Sequence, residues 1–230
     1  MQKGTVYMKI FSTSDIHGNK TIVRNLITTY EASEAELLLI CGDIGGKKYS
    51  ASTISTFGAF QRKDYDHLIN ELNKCSKPFY CILGNDDWFD VQDKHCLTSG
   101  EAADIFNDVK AFDYVAITPF NTNREANENK IAFELEKINI DKNSIILAHC
   151  PPYKAQDKIY SGDNVGSKSI RSCIESTQPK IWFCGHIHED YGVSKIGNTL
   201  VVNCSCDHIR NKLKYVIVDI DTLEYSISPA

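Results

Sequence analysis

Five short segments of the chain are apolar almost without interruption: "YMKIFSTSD", "AELLLICGD", "FYCILGND", "NSIILAHC" and "KIWFCGHIH". Runs of this length, bounded by glycine and polar residues, predict strands buried on both faces. Between them the apolar positions recur at helical spacing, predicting helices at about 19 to 33, 56 to 74, 126 to 138 and 168 to 177, with Ser55 and Ser167 as candidate caps. Alternation of this kind points to an α/β protein rich in βαβ units. In "VSKIGNTLVVN", Gly197 and Asn198 separate two β-branched runs, and "YVIVDIDTLEYSI" predicts a second hairpin, so the C-terminal part should be β-rich. The polar stretch "NTNREANENK", 121 to 130, reads as a loop or a helix start rather than a linker.

The 230 residues, 42% of them hydrophobic, can bury a substantial core and fit one domain over 1 to 230. Residues 1 to 15 contain no apolar segment of signal-peptide length, and no stretch nears the ~18 apolar residues of a membrane span, so a cytoplasmic protein without membrane contact is expected. The nine cysteines are scattered, which argues for reduced thiols rather than a disulfide framework or a CxxC zinc site. A net charge of -5 offers no general basic surface for long nucleic acid but leaves small anionic substrates open.

All five apolar runs end on residues of one chemical kind: Asp15 and His17, Asp43, Asn85, His149, and His186 and His188. Ligands of α/β sheets gather beyond the carboxyl ends of strands, so these residues can converge although they are distant in sequence. Seven nitrogen and oxygen donors exceed the needs of one tetrahedral ion and suit two ions sharing a carboxylate. Mixed imidazole and carboxylate favours Mn, Fe, Zn or Co over Mg or Ca, with Mn the favoured choice. Two divalent cations against Asp15 and Asp43 would leave a surplus of about two positive charges, attractive to a small phosphate ester. Asp86 and Asp87, crowded beside Asn85, are candidate catalytic carboxylates.

These motifs, "DIHG" at 15 to 18, "GDIGG" at 42 to 46, "GND" at 84 to 86, "HCPP" at 149 to 152 and "GHIH" at 185 to 188, resemble those of the calcineurin-like metallophosphoesterases, in the family's order. The resemblance implies a four-layer α-β-β-α sandwich, two mixed sheets face to face with flanking helices. It also implies a division of ligands, with Asp15, His17 and His188 on one ion, Asn85, His149 and His186 on the other, and Asp43 bridging. The expected activity is hydrolysis of a phosphodiester or small nucleotide, with hydroxide between the ions as nucleophile. Where the common family pattern has a His serving the leaving group, this chain has Asp86.

Two rival readings carry different expectations: a non-catalytic metal-binding scaffold of the same fold in a protein assembly, and a thiol hydrolase using Cys150. Of the remaining histidines, His67 and His95 are expected to be solvated, and His208 is a weak candidate near the site. Gly45 and Gly46 could let backbone approach a ligand. Lys47, Lys48 and Lys154 could meet a second phosphate, and Tyr49, Tyr153 and Tyr160 could stack on a base.

Overall fold

A computed structural model describes residues 8–47, 53–104, 106–119 and 122–228. The first sheet is built from β1 (Lys9–Thr13), β2 (Leu37–Ile40), β3 (Phe79–Cys81), β11 (Val216–Asp219) and β12 (Tyr225–Ile227), in the order β12-β11-β1-β2-β3. The second contains β4 (Val109–Phe112), β7 (Ile145–Ala148), β8 (Ile181–Cys184), β9 (Gly192–Ile196) and β10 (Thr199–Asn203), in the order β4-β7-β8-β10-β9. Helices α1 (Lys20–Ala32) and α2 (Ile54–Leu72) cover the first sheet, and α3 (Glu128–Glu136) and α4 (Lys168–Thr177) cover the second. The four layers match the fold class expected from the sequence. No described helix is long and apolar enough to cross a membrane.

Strand alternation explains why the five runs are apolar throughout. Leu37 and Leu39 point into the space between the sheets, where they meet Ile145, Leu147, Ile181 and Phe183 from the other side. Leu38 and Ile40 point outward beneath α1 and α2, and Ile146 and Trp182 point outward beneath α3 and α4. Each strand therefore buries both faces, at roughly 1.5 to 3 kcal/mol for each large apolar side chain. The pairs β1–β2, β2–β3 and β7–β8 are parallel. Their carboxyl ends consequently lie along common edges, where the polar residues that end the runs are delivered.

The helix boundaries are set by local chemistry. Asn19 caps α1 by accepting from the Thr21 and Ile22 amides, and Ser167 caps α4 as expected, accepting from Ile170 N. The cap of α2 is Thr53, which accepts from Thr56 N; Ser55 lies inside the first turn. A hydroxyl residue just ahead of an apolar run carries the same sequence signal from either position, and the extended backbone of Thr53 decided which was used. α3 starts later than expected because Asn127 caps it by accepting from Lys130 N. Within the polar stretch before it, β6 (Glu125–Ala126) pairs with β5 (Val115–Ala116). Both C-terminal hairpins are present, β9–β10 and β11–β12.

α2 also reaches beyond the core. Its fully buried Gln61 donates to Asp86 O at 2.6 Å and accepts from Trp88 N at 2.8 Å, clamping the segment that follows Asn85. The approach requires Gly58, where an added Cβ would lie 2.1 Å from Trp88 O. Glycine to alanine inside a helix ordinarily stabilises by about 1 kcal/mol. Gly58→Ala should reverse that sign, costing about 2 kcal/mol by forcing α2 off the segment. A thermal melt should show Tm lowered by roughly 4 to 8 °C; an unchanged or higher Tm would show that the contact is slack.

Candidate metal centre

β1 and β2 continue past their ladders as two stitched turns. Asp15 N donates to Gly42 O at 3.0 Å, His17 N to Asp43 O at 3.0 Å and Gly18 N to Ile44 O at 2.7 Å. These turns hold Asp15, His17 and Asp43 in the left-handed region, at φ 58°, 47° and 53°, and His186 after β8 is held at φ 71°. Non-glycine residues adopt this conformation at a cost of order 1 to 3 kcal/mol each, and such residues cluster at functional sites. Glycine supplies the close approach between turns: a Cβ on Gly84 would lie 2.2 Å from Asp43 Oδ1, and one on Gly185 would lie 2.5 Å from Asp15 Oδ2.

The donors meet at the end of both sheets. Asp15, Asp43 and His149, all buried, bring one ligand atom each within 4.8 Å of one another. Asp15 Oδ1 lies 3.0 Å from His188 Nε2, while its Oδ2 accepts from the His186 amide at 3.0 Å. Asp43 Oδ2 is 3.4 Å from His149 Nε2 and 3.8 Å from His17 Nε2. The rings of His149 and His186 pack at 5.1 Å. All seven residues therefore surround one region, with Asp43 between the His17 and His149 sides.

One corner of this arrangement reports what belongs there. Thr122 Oγ1 donates to Glu125, so it accepts from Asn85 Nδ2 at 2.7 Å, which turns Asn85 Oδ1 inward to 3.0 Å from His149 Nε2. His149 Nδ1 lies 2.6 Å from Cys41 O, and a carbonyl only accepts, so Nδ1 carries the ring hydrogen. In the neutral ring, Nε2 then presents a lone pair toward Asn85 Oδ1 and Asp43 Oδ2, both acceptors. A proton or a cation must reconcile three converging lone pairs on buried residues. Without a cation the ring itself takes the charge: burial opposes protonation of His149, but Asp43 and Asp15 push it up to about 10. The donor set fits divalent ions, with Asp15, His17 and His188 on one side, Asn85, His149 and His186 on the other, and Asp43 common to both.

The remaining electrostatics follow from burial against charge. Burial opposes ionisation of Asp15, yet His188, His149 and His17 hold it well below the usual carboxylate range, and His149 and His17 likewise hold Asp43 low. His186 is pushed down to about 4 by burial and by His149. Neutral imidazole is the form that coordinates metal.

Asp86 and Asp87 differ sharply. Asp86 lies at the rim, its amide donating to Asp43 Oδ1 at 2.8 Å and its carboxylate paired with Lys47 Nζ at 2.8 Å. Asp87 is fully buried and does not reach the cleft: its carboxylate accepts from Ile44 N, Gly45 N and Gly84 N. Burial and the charge of Asp43 push it up to about 7. The geometry gives Asp87 the task of holding the two loops together, and the catalytic role expected for it lacks support.

A cleft of about 480 Å³ opens over the donors and is walled by Lys47, Phe57, Trp88 and Thr122, with His208 at one side. Phe57 and Thr122 carried no motif signal and are brought here by α2 and by the loop before α3, whereas Trp88 follows the GND motif directly. Lys154, Tyr153 and Tyr160 do not line the cleft: Lys154 sits over the Tyr153 ring at 5.5 Å, and Tyr160 is 92% exposed. Lys48 and Tyr49 lie outside the described residues. His67 is exposed as expected, while His95 is only partly solvated, its ring stacked on Phe79 at 4.2 Å.

A family model described as calcineurin-like phosphoesterase matches residues 8–190. Over 212 residues the chain is 32% identical to the uncharacterised protein MJ1162 of Methanocaldococcus jannaschii, covering 86% of this chain and 88% of that protein. Among solved structures, TT1561 of Thermus thermophilus superposes with a TM-score of 0.67 at 13% identity, over 96% of this chain and 98% of that one. Another crystal structure reaches 0.77 at 15% identity with the same coverage. At these identities the two structures speak for the fold, and the family model together with the archaeal relative speaks for descent. The chain belongs to the calcineurin-like phosphoesterase family.

Proposed function

We propose that this protein hydrolyses a phosphodiester or small nucleotide at a centre of two divalent ions. The observation that carries the reading is the meeting of Asn85 Oδ1, Asp43 Oδ2 and the lone pair of His149 Nε2, an arrangement that only a cation or a trapped proton satisfies. When bound, paired divalent ions supply an activated water and neutralise charge developing on phosphate oxygens.

The chain's own residues supply orientation and selectivity. Cys41 O fixes the His149 tautomer, Thr122 fixes the Asn85 amide, and the amides of His186 and Asp86 hold one oxygen each of Asp15 and Asp43. Such support commonly affects metal affinity ten- to a hundredfold, on the order of 1.4 to 3 kcal/mol. Lys47 places positive charge at the rim for an anionic ester, and Phe57 and Trp88 offer apolar wall to its organic part. The cleft volume of about 480 Å³ suits a small ligand. Asp86 is ion-paired with Lys47 where the common family pattern has an imidazole, so no His stands there to serve the leaving group, which supports esters whose leaving group needs little help. A thiol route through Cys150 has no geometric support, because that thiol is buried and pushed up to about 12.

Elemental analysis after loading with Mn or Zn should approach two ions per chain; one or fewer, with the fold intact, would remove the shared role given to Asp43. Asp43→Asn and His149→Ala should each lower turnover of an aryl phosphodiester on the order of 100-fold or more, at unchanged circular dichroism. Cys150→Ser should retain most activity, and the opposite ranking would favour the thiol reading. Two bound ions without turnover of any monoester, diester or cyclic nucleotide would favour the scaffold.

Asp86→His should raise turnover of esters with poor leaving groups more than that of activated ones. The measurement is the slope of log rate against leaving-group pKa at equal metal content. A shallow slope in the native protein, unaltered by the substitution, would mean that the native protein already has an acid.

A further inference from the structure

His208 stands beyond the seven converging donors, on the segment that leaves β10, and its position is held by the same contacts that shape the DIHG turn. Ser205 forms a parallel bridge with Ser14, and Cys206 N donates to Ser14 O at 3.0 Å. Asp207 and Lys212 exchange backbone hydrogen bonds of 3.1 and 2.9 Å, closing a turn in which Asn211 is left-handed at φ 56°. Asn19 Nδ2 then donates to His208 O at 2.9 Å and to Asn211 Oδ1 at 2.6 Å. Asn19 is also the N-cap of α1, two residues after His17. One side chain therefore keeps the backbones of His17 and His208 in register.

The ring of His208 lies 4.2 Å from that of His17 and 4.9 Å from that of His188, centroid to centroid. One nitrogen of each of the three rings falls within 4.8 Å of the others. Two nitrogens bound to one ion at about 2.1 Å each are at most ~4.2 Å apart, so small side-chain adjustments bring the three into one coordination shell. His17 Nδ1 and His208 Nδ1 are both buried without a hydrogen-bond partner among the described residues. Three imidazoles packed together for shape alone would leave polar nitrogens idle in a site that already gathers cation ligands.

We propose that His208 is a further ligand of the ion held by Asp15, His17 and His188, giving that side of the centre three imidazoles; this rests on the metal-centre reading above. The two sides are then chemically unequal. The Asp15 side combines three nitrogens with carboxylate, and the Asn85 side combines two nitrogens with carboxylate and amide oxygen. The nitrogen-rich side should prefer Zn, Fe or Co over Mn, because imidazole suits the former while oxygen donors suit the latter.

The test compares the metal-free native protein with His208→Ala and His208→Asn, and with His67→Ala as an exposed-histidine control. Titration with Zn by calorimetry and with Co by visible absorption should show one of two sites weakened about ten- to hundredfold in both His208 variants. Mn affinity should fall less, the Co spectrum should change, and the control should match the native protein. Equal Zn and Co affinity with an unchanged spectrum in folded His208→Ala would overturn the proposal. Native protein with nitrogen-15-labelled histidine, loaded with a spin-one-half cadmium isotope, gives a count that needs no variant. Coupling to cadmium at His208 as well as at His17 and His188 supports the assignment. Coupling at His17 and His188 without His208 overturns it and leaves the metal centre standing, whereas coupling at none of them overturns the metal centre itself.

Discussion

Asp15 and Asp43 are carboxylates at 0% and 3% exposure, close enough to share His149 as a neighbour, and their charge must be neutralised where burial leaves little solvation. Much of the surrounding architecture can be understood from that requirement. Parallel strands bring β1, β2 and β3 of one sheet and β7 and β8 of the other to a common end, so imidazoles from the second sheet face carboxylates from the first. The amides of His186 and Asp86 each satisfy one carboxylate oxygen, leaving the other directed inward. Breaking one partner of such a buried set costs several kcal/mol, since it strands the other. The left-handed backbone at Asp15, His17, Asp43 and His186 is the conformational cost of aiming the groups, and the hydrogen bonds between the β1 and β2 turns hold it in place.

The loops around the centre are fixed by a second group of buried polar residues with a different task. Asp87 gathers three amides from the Asp43 and Asn85 loops, and Gln61 ties Asp86 and Trp88 to α2. A shift of an ångström in either loop would misplace Asp43 or Asn85, and such small errors weigh heavily on catalytic geometry. Asp87 and Gln61 therefore hold the Asp43 and Asn85 loops without lining the cleft, and Gly58 matters because it lets α2 come near enough for Gln61 to act.

Much of this was legible in the sequence because strand periodicity and strand-end chemistry are local signals. The five apolar runs, the residues that end them and both late hairpins follow from side-chain pattern and turn residues alone. The distinction between Asp86 and Asp87 was not legible, since adjacent carboxylates look alike until the Gly84 turn sends one to the rim and the other beneath the loops. His208 was legible only as a weak candidate and Phe57 not at all, because both reach the cleft through tertiary contacts, the Asn19–His208 bond and the packing of α2. His95 misled because polar neighbours suggest solvent, whereas its ring found the face of Phe79.

The position after Asn85 separates two tasks that sequence motifs combine. What the centre requires there is a backbone amide, and Asp86 N supplies it to Asp43 Oδ1 whatever the side chain. What the proposed reaction would draw on there is a side chain, and this chain offers a carboxylate held by Lys47. The amide contact to Asp43 is therefore indifferent to the side chain at this position, while the Asp86 carboxylate itself comes within 4.8 Å of ligand atoms of His17 and Asp43. The backbone contact and the side-chain chemistry at this position can consequently vary independently. An unusual residue in the third motif is for that reason weak grounds for reading the centre as decayed, and stronger grounds for expecting a different class of leaving group.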